Sequence, residues 1–192
     1  MNRSSVTLAT AGVVLIAAVL TGCQAAGSSA PAPSAGASSG ATSGAGSVLP
    51  VAGNPISNTS TTPGLSIVSA AVEDNVDPST KKAINDRLQI TLANATAAPL
   101  TNVEIYYEMT DTTTKQSEGY YSTLTGITIP ANGETIVYFD NETASGHFPE
   151  NTFSLYRSSA NQVDFTIEAS ADGVQIASGT ASKGAGTGEQ AD

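Results

Sequence analysis

The sequence predicts an all-β protein, an antiparallel β-sandwich of seven or eight strands preceded by a disordered linker. Three observations carry that expectation. Residues 87–93, 101–110 and 163–170 alternate between apolar and polar side chains, the period of a half-buried strand. Turn signals stand between such segments: Ala97-Ala98-Pro99, Pro130-Ala131-Asn132-Gly133 and Asp172-Gly173. β-branched, aromatic and charged residues come together only from about residue 64, after a long stretch without charge. At 192 residues the chain has room for one domain with appendages.

Taken in order, the strand candidates are residues 65–72, 87–93, 101–110, 120–129, 134–140, 153–157, 163–170 and 173–178. In the second, Leu88, Ile90 and Leu92 share one face against Gln89 and Thr91. In the third, Val103, Ile105, Tyr107 and Met109 form the inward set, which turns Asn102, Glu104, Tyr106 and Glu108 outward. In the fifth, Thr135, Val137 and Phe139 point in, and Glu134, Ile136, Tyr138 and Asp140 point out. Asp172-Gly173 suits a tight hairpin, because both residues tolerate positive φ. Residues 79–86 are expected to form one helical turn capped by Ser79. The chain has a single Cys, so no disulfide joins the sheets. A domain of about 120 residues buries roughly two-thirds of its unfolded surface, enough for a core without one.

The N-terminal part reads differently. Residues 6–20 are uncharged and mostly apolar. A membrane-crossing helix needs about 20 such residues, whereas a run of this length suits the core of a secretory signal peptide. It ends in Leu20-Thr21-Gly22-Cys23, which resembles the lipobox of bacterial lipoproteins. That resemblance implies cleavage after Gly22, lipidation of Cys23, and anchoring on the outer face of the bacterial cytoplasmic membrane. Residues 1–22 are then a signal peptide and residues 23–63 the lipidated Cys and linker. Of residues 24–63, 33 of 40 are Ala, Gly, Ser, Pro or Thr. Such a stretch has too little apolar side chain to offset its ordering entropy and would span roughly 35 Å as a flexible coil. Residues 64–182 form the sandwich, and residues 183–192 a flexible tail.

A second resemblance lies in the sandwich. Leu88-Gln-Ile-Thr-Leu-Ala-Asn94, Pro99-Leu-Thr-Asn-Val-Glu-Ile-Tyr106 and Ile129-Pro-Ala-Asn-Gly-Glu134 leading to Tyr138-Phe139-Asp140 are similar to small immunoglobulin-like domains of bacterial surface lipoproteins. The likeness covers residues 88–140. It implies a fold and transfers no catalytic residue.

Composition narrows the function. A net charge of −10 argues against nucleic acid, which demands clustered Lys and Arg. One His and one Cys argue against enzymes needing several such ligands, and no cofactor motif is present. Gly36-Ala-Ser-Ser-Gly40 matches a nucleophile-elbow pattern but lacks the strand and helix that motif requires. Three groups remain as site candidates. Asp74, Asn75 and Asp77, in Glu73-Asp-Asn-Val-Asp77, offer oxygen ligands for calcium, although a charged turn explains them as well. Asp140, Glu142, His147 and Glu150 share a polar loop and could hold a metal ion, although a solvated loop is the simpler reading. Tyr106, Tyr120 and Tyr138 form a candidate binding face between acids, although cross-strand packing favours aromatics too. The expectation is a non-catalytic adhesion, scaffold or accessory module. It would be tied to the membrane by the lipid on Cys23 and meet an envelope or extracellular protein or glycan. The alternative is a small-ligand or calcium-binding surface lipoprotein using loops 73–77 and 140–150.

Overall fold

Strands form where the alternation places them, and they stack as two sheets. The computed structural model describes residues 48–76, 79–80 and 83–186. Cys23, the segment around it, Asp77 and residues 187–192 lie outside the described residues. The elements are β1 (Leu65–Val76), β2 (Ala83–Asn94), β3 (Glu104–Asp111), β4 (Ser117–Thr123), β5 (Gly133–Phe139), β6 (His147–Phe148), α1 (Leu155–Ser158), β7 (Val163–Ser170) and β8 (Ala177–Lys183). One sheet has the order β1-β2-β5-β6 and the other β4-β3-β7-β8. In immunoglobulin lettering these correspond to A-B-E, with β6 added, and C′-C-F-G. All pairings are antiparallel except that of β5 with β6.

The core is the set of inward alternating positions. Leu88, Ile90 and Leu92 on β2 and Val137 and Phe139 on β5 meet Ile105, Tyr107 and Met109 on β3 and Val163, Phe165 and Ile167 on β7. Thr135 is only half-buried. Tyr107 sits at the centre, stacked on Tyr120 at 5.5 Å and edge-on to Phe139 at 5.3 Å. Such aromatic pairs add about 0.5–1.5 kcal/mol each beyond the area they bury. The sheets approach closely where β1 passes β8: a Cβ on Gly179 would lie 2.8 Å from Ile67, so only glycine fits there.

Asn94 closes the end of β2. It is buried, and its amide donates to the carbonyls of Ala98, Ile129 and Pro130 at 2.8, 3.1 and 3.1 Å. Its Oδ1 accepts from the Thr96 N–H at 2.8 Å. One side chain therefore joins the Pro99 turn to the Pro130 turn. There Asn132 takes a φ of 51° and the Gly133 N–H bonds the Pro130 carbonyl at 3.1 Å.

Several expectations are corrected. Of the helical turn expected over residues 79–86, the part from Ala83 onward is strand, with Ala83 and Ile84 paired with Val76 and Asn75, and residues 81–82 lie outside the described residues. A lone helical turn is marginal in water, and ladder bonds outcompete it. The strand expected at residues 153–157 is instead the helical turn α1. Leu155, Tyr156 and Arg157 are consecutively buried, a pattern that alternation cannot produce. The strand expected at 120–129 ends at Thr123, since Gly126 takes a φ of 84° and Leu124 turns into the core. The turn at Asp172-Gly173 is present with a φ of 74° at Gly173, but Val174 then dives into the core and β8 starts only at Ala177. Lys183, assigned to the tail, is buried in β8 and donates to the Ser159 carbonyl.

The largest correction concerns residues 48–63, which composition assigns to a disordered linker. They lie along the β4-β3-β7-β8 sheet as a strap. Val51 pairs with Gly119 at the free edge of β4, and Asn54 donates to Glu168 on β7 at 2.6 Å. Asn58 donates to Ser170 Oγ and the carbonyls of Ala171 and Val174 at 3.0, 3.3 and 2.8 Å. Ser60 donates to the Gly173 carbonyl at 3.0 Å, and Thr62 accepts from the Gln175 N–H at 2.7 Å. Side-chain amides binding backbone carbonyls supply what apolar burial does not.

Candidate functional site

The site with the most chemistry begins where β5 ends. Asp140 Oδ1 accepts from the Glu142 N–H at 3.0 Å, and Asn141 adopts a φ of 63°, so the chain reverses at once. Gly146, at φ 87°, lends its carbonyl to the Tyr138 N–H at 2.8 Å. The loop thus returns the chain alongside β5 as β6, pairing His147 with Tyr138 and Phe148 with Phe139. Parallel pairing normally follows a crossover of a dozen or more residues. Here positive φ at Asn141 and Gly146 shortens the return, and only two residues pair.

This return stacks the His147 ring on Tyr138 at 4.7 Å and 21°. Arg87, paired with Glu73 at 3.2 Å, lies over the same tyrosine at 5.3 Å. His147 Nδ1 sits 3.0 and 2.9 Å from the two Asp140 oxygens and 3.7 Å from Glu142 Oε2. One ligand atom from each of Asp140, Glu142 and His147 fits within 4.8 Å of the others. The Asp140 side chain is 5% exposed, that of His147 14% and that of Glu142 60%. The group is closed on its β5 side and open to solvent through Glu142.

Glu150, expected beside these three, is elsewhere. It is buried with Arg157, to which it is ion-paired, and accepts from the Tyr156 hydroxyl at 3.2 and 3.0 Å. Burial pushes its carboxyl up to about 7, while the guanidinium and the hydroxyl oppose that rise. Next to it, Glu118 accepts from the Tyr120 hydroxyl at 2.9 Å and the Leu155 N–H at 3.0 Å, and Asn151 donates to Tyr120 at 3.0 Å. These contacts dock residues 149–158 against the sandwich. Glu150 cannot ligand an ion in the 140–147 loop because its own ion pair holds it in the interior.

The calcium candidates fare differently. Asp74 and Asn75 stand on β1, which runs to Val76 paired with β2 across an irregularity between Glu73 and Asn75, so they occupy a strand where a loop is expected. Their side chains and all of Asp77 lie outside the described residues.

The tyrosine face is broken up. Tyr120 is a core residue, pointing between the sheets. Tyr106 does point outward but is buried, since the strap crosses from Gly119 on β4 to Glu168 on β7 and β3 lies between. Tyr138 is half-buried between Arg87 and His147. Alternation reports which face a side chain takes and is silent on what later covers that face. Beneath the strap a polar cleft of about 600 Å³ is lined by Ser57, Asn58, Ser60, Glu104, Thr123 and Asp172, among others.

Sequence reasoning misses Asn94, Asn58 and the Glu150–Arg157 pair. A signal for the strap exists: Val48, Leu49, Val51, Asn54, Ile56 and Asn58 interrupt the low-complexity composition. Nothing local marks Glu150 and Arg157 as partners.

No protein-family model and no curated protein matches the chain. Among solved structures, the crystal structure of Spo0M, a sporulation control protein from Bacillus subtilis, is similar at a TM-score of 0.31 and 12% identity. The match covers 61% of this chain and 47% of that one, so the chain spans about half of that protein's length.

Proposed function

We propose that the protein is an exported, lipid-anchored cell-envelope lipoprotein whose β-sandwich is a non-catalytic adhesion, scaffold or accessory binding module. The observation that carries this reading is the order of parts in one chain. An apolar run ends in Leu20-Thr21-Gly22-Cys23, a charge-free stretch follows, and a sandwich comes last. Two acyl chains on Cys23 anchor stably without help from the domain. The cleaved product, at six cations against 17 anions, is repelled by an anionic bilayer. The sandwich therefore stands off the outer face of the cytoplasmic membrane.

The contact surface in this reading is the outer face of β1, β2 and β5. Val68 and Ile136 are 56% and 42% exposed there, and the strap lies on the other sheet. The partner is an envelope or extracellular protein or glycan. Two measurements test the proposal. Mass spectrometry of the mature chain should find a diacylated N-terminal Cys23, and Cys23→Ser should move the protein from the membrane to the soluble fraction. A photo-crosslinker at Ile136 should give adducts on intact cells where one at exposed Thr166, on β7, gives none. Unmodified Cys23 or equal labelling at both positions would overturn the anchoring or the surface, respectively.

A second reading, a surface lipoprotein that binds an ion or small ligand through the 140–150 loop, is favoured by the meeting of Asp140, Glu142 and His147. A ligand at a hundred times its Kd adds about 2.7 kcal/mol to stability. Thermal unfolding with calcium, zinc and cell-wall sugars therefore reads it directly.

A further inference from the structure

We propose that Asp140, Glu142 and His147 form a binding site for a single zinc-class divalent transition metal, with its remaining positions open to solvent. The proposal rests on the ion-binding reading of the 140–150 loop and is independent of the lipid anchor. Three features carry it. The first is spacing. Nδ1 of His147 stands 2.9 Å from Asp140 and 3.7 Å from Glu142, and no pair exceeds 4.8 Å. With the third side no longer than that bound, a point lies no more than about 2.4 Å from each corner, close to the 2.0–2.2 Å that zinc takes to nitrogen and carboxylate oxygen. Closure by a few tenths of an ångström is within reach, because Glu142 is 60% exposed on its side chain.

The second is charge. Two carboxylates and a neutral imidazole balance a divalent cation; the N–H that Nδ1 turns toward Asp140 in the ion-free protein gives up its proton, to Nε2 or to solvent, as the ion takes that nitrogen. The nearby guanidinium of Arg87 is already paired with Glu73 and lies over Tyr138. The donor set also selects. An imidazole nitrogen suits zinc, nickel or copper, whereas calcium takes six to eight oxygens. The third is preorganisation. The Tyr138 ring stacks on the imidazole at 4.7 Å, and the Glu142 N–H holds Asp140 Oδ1 at 3.0 Å. Groups of this kind orient metal ligands. Asp140, directly after β5, and His147, on β6, are held by the pairing of those two strands, and Glu142 closes from the loop between them.

The test uses the full chain in detergent micelles carrying Cys23→Ser, which removes the only thiol. Cobalt is titrated as a spectroscopic stand-in for zinc. The expected result is a visible d–d band saturating at one cobalt per chain, displaced by equimolar zinc and unaffected by a large excess of calcium. Glu142→Gln should weaken cobalt binding about tenfold without moving the melting temperature of the ion-free chain, and His147→Gln should weaken it more. Exposed Glu134→Gln should change nothing. Cobalt binding insensitive to both Glu142→Gln and His147→Gln overturns the site. Displacement of cobalt by calcium overturns the ion class and leaves the ion-binding reading standing. No shift in unfolding with any ion overturns both.

Discussion

Two polar segments stand outside the sandwich strands, and each closes an edge of one sheet. The strap at residues 48–63 pairs Val51 with the free edge of β4. The excursion at residues 140–162 lays β6 against the free edge of β5. Open edges invite pairing with other chains, and both segments answer that problem. They are tied down by opposite means. Neutral amides, chiefly those of Asn54 and Asn58, hold the strap to groups near the surface. The excursion is held by ionised groups in the interior, where Glu150, Arg157 and Tyr156 share one network. The strap's ties are thus separate and modest, and those of Asn58, made to a hydroxyl and two carbonyls, are indifferent to pH. Those of the excursion are coupled, strong and pH-dependent.

The largest effect should come from breaking the excursion's ion pair. Arg157→Met leaves the Glu150 carboxyl buried without its partner, so that it must stay ionised unpaired or bind a proton, at a cost of about 3–5 kcal/mol at pH 8, read by urea unfolding. Adding Glu150→Gln to that variant should restore part of the loss, because the unpartnered carboxyl is then gone. If the double variant is no more stable than Arg157→Met, the two residues are not coupled and the contrast fails.

The wild-type pH profile is the next largest. The folded Glu150 carboxyl titrates at about 7, above its ordinary value of 4.5, so between those values the folded state binds more protons than the unfolded one. Stability from this group must therefore fall as pH rises from about 5 to 8, by an amount on the order of 2 kcal/mol. Glu150→Gln should flatten the profile over that window. Asp111 acts in the reverse sense. Hydrogen bonds from Ser159, Thr114 and Asn161 hold its carboxyl far below the usual range, so it destabilises only on strong acidification, outside the window. A profile that rises from pH 5 to 8 would contradict the buried, proton-binding Glu150.

On the strap, Asn58→Ala should cost about 1–2 kcal/mol, with no change in the pH profile. Asn54→Ala should add to it within about 0.5 kcal/mol, as independent ties do. Strong coupling between the two would mean that the strap locks as a unit. The smallest effect belongs to the open face, where Ile136→Thr should stay within about 0.5 kcal/mol of wild type by thermal unfolding.

The strands were the legible part, because the inward positions of β2, β3, β5 and β7 are local alternations that one face of a pleated sheet demands. The loop at residues 140–150 was legible as a list of ligand types and no more. His147 and Asp140 meet because Asn141 and Gly146 reverse the chain, and Glu150 leaves the group because Arg157, seven residues on, claims it. Tyr106 and Tyr120 carry the same lesson from the sheet. Tyr106 takes the outward face its position requires and is then hidden by the strap. Tyr120 lies opposite Tyr107 across the β3–β4 ladder and turns into the core with it.

By itself, then, the sequence determined the period-two strands, the turns at Pro130 and Asp172-Gly173, and a two-sheet body behind a charge-free stretch. Each of these follows from composition or from interactions within a few residues: backbone φ preferences and side-chain alternation. Only the tertiary structure decided that the last part of that stretch lies down as a strap, that residues 153–157 coil, and which acids share a site. The strap and the coil depend on partners far along the chain, and the grouping of the acids on how the 140–150 loop turns back against β5. Asn58 finds carbonyls of residues 171 and 174, and Glu118 finds the N–H of Leu155. A hydrogen bond of that kind exists only once the sheets have already brought its two ends together.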